Sequence, residues 1–396
     1  MKDYKTLLNT EISCECGKTH YVPIKDVDFL FKAGDISKIA SQHIEGKEIL
    51  LVVDCHTDEQ INNEIIAELK KAEYNLTISR FTDKKLVPDE KAVGTILMDS
   101  DRNTDGIISV GSGTISDLAR FAASRMKVPV ITIATAPSMD GYAAAGASLV
   151  VKGAKKTIKA FPVTAIYGDI DVIANSPYEM IQAGFGDIAG KKTALADWAL
   201  SRVVTDEYWC DKTVELVENS TDICLENATK ISQRDKKSIE YLIEALVLSG
   251  IAMSLADDTR PASGGEHLIS HYMVMKDIER GKIIPSHGIT VAFGTLILSY
   301  LYEYLLGSSE FLSQDNSEEI KEAVGKYVPA PKEVKEWLDI IGLPLHPEGY
   351  DVDRDYLEEM ILKAGFLRDR FTVFTYLDKL GVLDKAAEYT VSKLYI

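Results

Sequence analysis

The sequence contains few cysteines and fewer basic than acidic residues, and each feature argues against certain classes of protein. The five cysteines are an odd number and are widely scattered, at positions 14, 16, 55, 210 and 224. This pattern argues against a disulfide framework and fits a reduced, cytoplasmic protein. Lysine and arginine number 44 against 61 acidic residues, a net charge of −17 that argues against a surface for nucleic acid or an anionic membrane.

Other common features are absent too. The first residues lack the apolar segment of a signal peptide, and we find no apolar run of transmembrane length, no low-complexity tract and no internal repeat. We therefore expect a cytoplasmic protein without a membrane partner. A length of 396 residues favours two domains, and a hydrophobic content of 46% is ample for a buried core.

The N-terminal half alternates between strand and helix patterns. Glu48–Asp54 is a continuous apolar run, residues 62–72 have helical periodicity, and Asn75–Phe81 alternates like a strand. Further strands are predicted at 106–110 and 128–133. This β-α-β order predicts a parallel sheet covered on both faces.

Two predicted strands run into loops rich in small residues. The strand at 106–110 leads into G-S-G-T-I-S-D and a helix, which is typical either of a phosphate cradle or of a tight structural turn, since the third glycine of G-x-G-x-x-G is missing. The strand at 128–133 ends in A-T-A-P-S-M-D-G-Y, a loop placed where α/β proteins bind ligands. Asp140 in this loop could bond a substrate hydroxyl, but a cap on the next turn is slightly favoured.

A lysine cluster follows, and the chain then becomes helical. Lys152, Lys155, Lys156 and Lys159 favour a solvated hairpin over a phosphate clamp. Beyond residue 175, strand patterns disappear and helices are predicted at 187–204, 209–231, 236–256, 264–277, 289–306, 317–327, 332–340, 353–365 and 369–380. We therefore predict an α/β domain over 1–174 and an all-helical domain over 175–396.

Three of the seven histidines fall between residues 267 and 287. Ser263-x-x-Glu266 has the form of a capping box that would start a helix, on which His267 and His271 share one face. His287 is predicted near the start of another apolar helix. Converging imidazoles indicate a divalent metal site, although spacing alone makes chance about equally probable. Asp187 stands among three glycines, where it could be a metal ligand or a buried cap.

A second possible metal site lies near the N-terminus. Cys14-x-Cys16 with His20 could supply part of the ligand set for a soft metal. The sequence shows no fourth ligand, so a surface turn is the favoured interpretation.

Several motifs in order resemble the family that unites glycerol dehydrogenases, iron-containing alcohol dehydrogenases and dehydroquinate synthases, and more narrowly its sn-glycerol-1-phosphate branch. They are G-S-G-T-I-S-D at 111–117, T-A-P-S-M-D-G-Y at 135–142, G-F-G-D at 184–187, R-P-A-S-G-G-E-H at 260–267 and H-G at 287–288. The second and fourth are the specific ones. The resemblance implies an α/β dinucleotide-binding domain followed by an all-helical domain that binds metal and substrate.

The resemblance also implies residue roles. One divalent metal, zinc or nickel, would be bound by Asp187, His267 and His287. The substrate would contact Asp140, Asp187 and His271, with Asp140 and His271 catalytic. An acid at position 54 would repel a 2′-phosphate, so NAD is favoured, although NADP stays open. The implied cofactor-binding residues are Asp54, Gly113, Thr114, Ile115, Ser116, Asp117, Thr135, Ala136, Pro137, Ser138 and Ala144.

The implied activity is reversible, metal-dependent reduction of dihydroxyacetone phosphate by NAD(P)H, in a homodimer or higher homo-oligomer with no nucleic-acid partner. One departure is G-S-G-T where many relatives have G-G-G-K, so a lysine contact is absent. The alternatives are a polyol dehydrogenase acting on unphosphorylated glycerol and a dehydroquinate-synthase-like lyase. Aspartate rather than glutamate at position 187 favours a dehydrogenase. Lys191 and Lys192, or the lysine cluster, are candidates to hold the substrate phosphate.

Overall fold

The computed structural model describes residues 4–57, 59–83, 86–282 and 285–395. These residues form two compact units that are discontinuous in sequence. The first unit comprises Met1–Ser13, Thr19–Ile181 and Arg234–Leu255, and the second comprises Cys14–Lys18, Gln182–Gln233 and Ala256–Ile396. The proposed domain division between residues 174 and 175 stays a prediction.

A six-stranded sheet forms the centre of the first unit. The strands of the chain are β1 (Glu11–Ser13), β2 (Thr19–Tyr21), β3 (Asp26–Asp28), β4 (Glu48–Asp54), β5 (Asn75–Phe81), β6 (Gly106–Gly111), β7 (Val130–Ala134), β8 (Gly146–Val151), β9 (Ala154–Lys159) and β10 (Ala165–Gly168). The sheet order is β3-β10-β7-β6-β4-β5, and every neighbouring pair is parallel. The predicted parallel α/β sheet is therefore confirmed.

The helices that surround this sheet explain its apolar strands. Strands β6 and β7 are buried along their whole length, because a parallel sheet is covered on both faces. The helices that begin in this unit are α1 (Ile36–His43), α2 (Glu59–Lys71), α3 (Glu90–Asp99), α4 (Gly113–Met126), α5 (Ile170–Ala174), α6 (Tyr178–Thr205) and α9 (Lys236–Ala256). Helix α6 continues into the second unit from Gln182. The hairpins β1–β2 and β8–β9 are antiparallel.

The second unit is helical. Its remaining helices are α7 (Asp211–Glu226), α8 (Ala228–Ser232), α10 (Gly265–Glu279), α11 (His287–Gly307), α12 (Ser309–Leu312), α13 (Ser317–Gly325), α14 (Pro331–Ile341), α15 (Arg354–Ala364), α16 (Val373–Lys379) and α17 (Leu383–Leu394). Helix α11 is apolar all round and buried along most of its length, which is typical of the core helix of a bundle. Its partners in the bundle include α10, α14 and α17.

Two helices contradict the expectation that no apolar run reaches transmembrane length. By length and composition alone, α9 and α11 pass as membrane spans. In each helix, however, 78% of the most apolar 18-residue window is buried inside the fold. Such burial is what the core helix of a soluble protein shows, so neither helix indicates a membrane.

Candidate metal centre and nucleotide site

Three helices of the second unit bring the predicted metal ligands together. Helix α6 carries Asp187, α10 carries His267, and His287 is the first residue of α11, where an apolar helix was expected to begin. One potential ligand atom from each of these residues lies within 4.8 Å of the other two. The arrangement gives one carboxylate and two imidazoles for a single ion.

Glycines at the helix contacts make this convergence possible. A Cβ on Gly288 would come within 1.7 Å of the carbonyl oxygen of Ala183, and one on Gly186 within 2.3 Å of the oxygen of Gly288. Helices α6 and α11 therefore touch main chain to main chain beside Asp187. Likewise, a Cβ on Gly294 would lie 2.4 Å from the carbonyl oxygen of Glu266, so α11 meets α10 equally closely.

The two histidines face the carboxylate at short range. His267 Nε2 lies 3.7 Å from Asp187 Oδ1, and the rings of His267 and His287 are 5.1 Å apart in an edge-on arrangement. Ligands at about 2.1 Å from an ion in a tetrahedron would be about 3.4 Å apart. The observed separation is close to this value, and all three donors suit a divalent transition metal.

Glu266 fixes the orientation of His267. Its carboxylate is fully buried, and Oε1 accepts hydrogen bonds from His267 Nδ1 (2.7 Å) and from the Gly264 amide (2.6 Å). Oε2 accepts a hydrogen bond of 2.9 Å from the Thr193 hydroxyl. Burial by itself would raise the pKa of Glu266, but the hydrogen bonds from His267 and Gly264 outweigh it and lower the pKa. With Nδ1 protonated, the lone pair of the neutral ring lies on Nε2, the atom nearest Asp187.

The start of α10 differs from the predicted capping box. The helix begins at Gly265 and its N-cap is Gly264, so Ser263 does not cap it. Glu266 accepts from the Gly264 amide, while the Gly265 amide donates to Asp197 Oδ2 at 2.7 Å. Burial and the neighbouring Glu266 raise the pKa of Asp197 to about 6. Two buried carboxylates thus accept hydrogen bonds from the amides at the start of α10, in place of the predicted capping box.

Lys191 contacts the Asp187 carboxylate from the next turn of α6. Its ammonium group donates to Asp187 Oδ1 (2.7 Å) and to the carbonyl oxygen of Ala262 (3.0 Å), and both charged side chains are fully buried. From sequence, Lys191 was one of several candidates to hold the substrate phosphate. The i, i+4 spacing from Asp187 was the available signal for this contact. Its neighbour Lys192 pairs with Asp222.

His271 and Ser270 lie beside His287. The Ser270 hydroxyl is 3.3 Å from His287 Nδ1 and 2.6 Å from the Thr290 hydroxyl. The ring of His271, one turn beyond His267, lies 6.2 Å from that of His287. His271 is therefore beside the three potential ligands and half-buried, a position from which an imidazole can exchange protons.

In the first unit, the residues expected at the cofactor follow the ends of parallel strands. Asp54 ends β4, Gly113 to Asp117 begin α4 after β6, and Thr135 to Ser138 follow β7. These three strands are neighbours in the sheet, so their carboxyl ends share one edge. Asp54 Oδ1 accepts hydrogen bonds from the amides of His56 and Thr57 and from the Thr57 hydroxyl, at 2.9–3.0 Å.

Some of the side chains expected at the cofactor already form hydrogen bonds or ion pairs within the protein. The Asp117 carboxylate pairs with Arg120 and accepts a hydrogen bond of 3.2 Å from the Ser148 amide, so a cofactor contact from Asp117 would use its main chain. Burial raises the pKa of Asp117, against the effect of Arg120. The same Arg120 donates to the carbonyl oxygen of Ala144.

Asp140 does not cap the turn that follows it. The cap of this short 3-10 helix is Met139, whose sulfur accepts a hydrogen bond of 2.8 Å from the Gly141 amide. Asp140 Oδ2 instead accepts a hydrogen bond of 3.1 Å from the Ser249 hydroxyl of α9. The cap interpretation, slightly favoured from sequence, is therefore wrong, and the carboxylate is buried.

The lysine cluster lies on the hairpin β8–β9. Lys152 is at the turn, with a positive φ of 52°, and the other three lysines are on β9. Lys152, Lys156 and Lys159 are exposed. This agrees with the solvated hairpin that the sequence favoured.

Comparison with known proteins gives consistent matches. Residues 31–177 match the model of the iron-containing alcohol dehydrogenase family. The protein named glycerol-1-phosphate dehydrogenase NAD(P)+ from Bacillus licheniformis is 32% identical over 379 residues, covering 94% of this chain and 93% of the relative. One with the same name from Thermococcus sibiricus is 31% identical, covering 89% and 91%.

Solved structures share the fold at low identity. A sulfoacetaldehyde reductase from Bifidobacterium kashiwanohense in complex with NAD+ has a TM-score of 0.68 at 14% identity, covering 94% of this chain and 98% of that one. A probable glycerol dehydrogenase from Sinorhizobium meliloti has a TM-score of 0.67 at 16% identity, covering 92% and 97%.

Proposed function

Because this chain belongs to the glycerol-1-phosphate dehydrogenase family of NAD(P)-dependent oxidoreductases, we propose that it reduces dihydroxyacetone phosphate reversibly to sn-glycerol 1-phosphate. The observation that carries the proposal is the convergence of Asp187, His267 and His287 within 4.8 Å in the second unit. We assign these residues as the ligands of one divalent metal, zinc or nickel. Three protein ligands leave coordination positions open for substrate, as catalytic sites require.

Buried groups around the ligands support this assignment. A bound divalent ion would supply Lewis-acid polarisation of the substrate's carbonyl or alcohol oxygen. Glu266 holds the His267 ring in the tautomer that presents Nε2, and Lys191 holds the Asp187 carboxylate. Both groups are fully buried, so the ligand set is ordered before an ion or substrate arrives.

His271 is proposed to carry the proton. The reduction of a ketone consumes one proton and one hydride, and NAD(P)H supplies the hydride. An imidazole has an unperturbed pKa of about 6.5, so it can donate and recover a proton near neutral pH. The half-buried position of His271 beside His287 allows exchange with water. Asp140 is proposed as a substrate contact, on the motif that contains it.

The cofactor is proposed to lie at the carboxyl edge of the parallel sheet. The residues assigned to it are Asp54, Gly113 to Asp117, Thr135 to Ser138 and Ala144. The start of α4 directs main-chain amides and a helix dipole towards a pyrophosphate. Asp54 ends a neighbouring strand and would bind a ribose while repelling a 2′-phosphate, which favours NAD over NADP.

A two-substrate assay tests the reaction. Purified, metal-analysed protein is given NADH with either dihydroxyacetone phosphate or dihydroxyacetone. We expect NADH oxidation to be far more efficient with the phosphorylated ketone, with net accumulation of NAD+. Equal or better activity with dihydroxyacetone would indicate a polyol dehydrogenase. Turnover of a substrate without net NAD+ formation would indicate a lyase.

Two further expectations remain proposals. We propose that the protein acts in the cytoplasm, as the scattered cysteines favour, and that it forms a homodimer or a higher homo-oligomer, as the family resemblance implies. Light scattering on the purified chain would measure the mass directly. A monomer at assay concentration would overturn the second expectation.

A further inference from the structure

Lys191 forms an ion pair with Asp187, one of the three proposed metal ligands. The two residues are one turn apart on α6, and both side chains are fully buried. Lys191 Nζ donates to Asp187 Oδ1 at 2.7 Å, and the same oxygen lies 3.7 Å from His267 Nε2. The ammonium group is therefore beside the ligand set, and a cation bound by Asp187 would have a positive charge next to it.

The ammonium group is anchored on its other side by a turn that precedes α10. Lys191 Nζ donates to the carbonyl oxygen of Ala262 at 3.0 Å. In this turn, the amides of Ala262 and Ser263 both donate to the carbonyl oxygen of Thr259. Arg370 donates to the carbonyl oxygen of Ser263 and to the Thr259 hydroxyl. The acceptor is thus held in place, and the ammonium group stays beside Asp187.

The charges that contact the ligands offset one another. Glu266 places a negative charge at His267, from whose Nδ1 it accepts at 2.7 Å, and Lys191 places a positive charge at Asp187. The ligand set therefore keeps the single negative charge of Asp187. Binding of a divalent ion would give these groups one positive charge in excess, whereas without Lys191 they would be neutral. Such a difference matters in a buried site, where charges are weakly screened.

We propose that Lys191 is a charge-compensating residue of the metal site, which weakens the affinity for the ion and keeps the loaded site positive for an anionic substrate oxygen. The proposal rests on the metal ligands assigned under the proposed function. Repulsion between the ammonium group and a divalent ion opposes metal binding. The same positive charge would stabilise the negative charge that develops on a carbonyl oxygen when hydride reaches its carbon.

A purely orienting role for Lys191 predicts the opposite change in metal affinity. If Lys191 only held the Asp187 carboxylate in position, its removal would let that ligand move, and the metal would bind more weakly. If Lys191 compensates charge, its removal should make the metal bind more tightly. The direction of the change therefore separates the two roles.

The metal affinity of Lys191→Met tests the proposal, because methionine has a similar length and no charge. Metal-stripped full-length proteins compete with a chromophoric chelator for Zn²⁺, and His267→Ala measures the zinc that binds elsewhere in the chain. We expect Lys191→Met to bind zinc about tenfold more tightly than the parent, the lower end of the effects of changing a group that contacts a metal ligand. Lys192→Met is the matched control. Lys192 is the next residue of α6 but pairs with Asp222, so this variant should bind zinc as the parent does.

Thermal unfolding of the same samples gives a second measurement. Methionine at position 191 removes the ammonium partner of a buried carboxylate, so the stripped variant should melt at a lower temperature than the stripped parent. Saturating Zn²⁺ should raise the melting temperature of the variant more than that of the parent, because tighter binding stabilises the folded state more. If Lys191→Met does not fold without metal, Lys191→Gln is measured in the same way, since glutamine can still donate to Asp187.

Three results would overturn the proposal. One is unchanged or weaker zinc binding by Lys191→Met while Lys192→Met behaves as the parent. Another is failure of both position-191 variants to fold in saturating Zn²⁺, because the ion should supply the positive charge that Asp187 has lost. The third is a parent that binds no more zinc than His267→Ala, which would refute the metal ligands as well. None of these measurements requires turnover, so an error in the proposed reaction would be recognised separately.

Discussion

Replacing Glu266 by glutamine tests whether the buried carboxylate tunes the metal site. Glutamine has nearly the same shape, and its single oxygen can still accept from the Gly264 amide and from His267 Nδ1. Its amino group would face the Thr193 hydroxyl, which can accept that bond once its own hydrogen turns from position 266 to the Gly190 carbonyl oxygen, 3.0 Å away. Packing and hydrogen-bond number are thus preserved, and only the negative charge is removed.

The expected loss of metal affinity follows from the removal of the charge alone. A hydrogen bond to a charged group contributes about 1.5–3 kcal/mol and one between neutral groups about 0.5–1.5 kcal/mol. Losing the charge opposite His267 should therefore cost roughly 1–2 kcal/mol of metal binding. Changing a group that hydrogen-bonds to a metal ligand typically weakens metal affinity about 10–100-fold. We expect Glu266→Gln to lie near the lower end of this range.

Competition with a chromophoric chelator measures the affinity of the metal-stripped protein for Zn²⁺ or Ni²⁺. Glu310→Gln is the control, because Glu310 belongs to the same unit but pairs with Lys385 at the surface. The control should bind metal as the parent does. If Glu266→Gln kept the parent affinity within twofold while remaining folded, the assignment of Glu266 as the group that orients His267 would be wrong.

Three further predictions concern single steps. His267→Ala should lose most of the active-site metal. His271→Ala should keep the metal but lower kcat about 10²–10⁴-fold, as loss of a proton carrier does. Equal metal loss in both variants would refute the separate roles of the two histidines. Asp54→Asn retains the oxygen that accepts the hydrogen bond from Thr57. The variant should raise the ratio of kcat/KM for NADPH to that for NADH about tenfold, or about 1.4 kcal/mol. An unchanged ratio would show that Asp54 does not contact the ribose. Because Lys156 and Lys159 are exposed on a solvated hairpin, neutralising them together should change KM for the phosphorylated ketone no more than neutralising the exposed Lys332 does. A KM raised for this ketone and not for a neutral one would instead indicate a phosphate clamp.

The sheet was predictable because its strands are buried on both faces. Strands β4 and β5 have the bounds expected from sequence, since a continuous apolar run such as that of β4 is what a strand inside a parallel sheet needs. Helices were also predicted well by periodicity, including the start of α11 near His287. Helix ends were less accurate: α6 begins at Tyr178, nine residues before the predicted start at 187, because Gly184 and Gly186 weaken the helical signal of this stretch.

The site was predictable only where the ligands could be named by motif. Asp187, His267 and His287 came from the family resemblance, and spacing could not have shown that three helices meet there. Glu266 was mistaken for half of a capping box because a sequence does not show that the glutamate turns inwards. In the second unit Cys14 Sγ and Cys210 Sγ are 3.8 Å apart although 196 positions separate the two residues, so no local pattern could have connected them.

The glycine contacts around Asp187 have a consequence for mutational tolerance. At Gly186, Gly288 and Gly294, the atoms that a new Cβ would meet first are main-chain oxygens, which no rotamer change can move aside. Any residue other than glycine at these positions therefore forces a helix to shift, whichever substrate or metal the protein binds. In a saturation library screened only for folded protein, we expect these three positions to be as depleted of variants as the metal ligands are in a screen for activity. Engineering of metal preference in this protein should accordingly exchange ligand side chains and leave the glycine positions fixed.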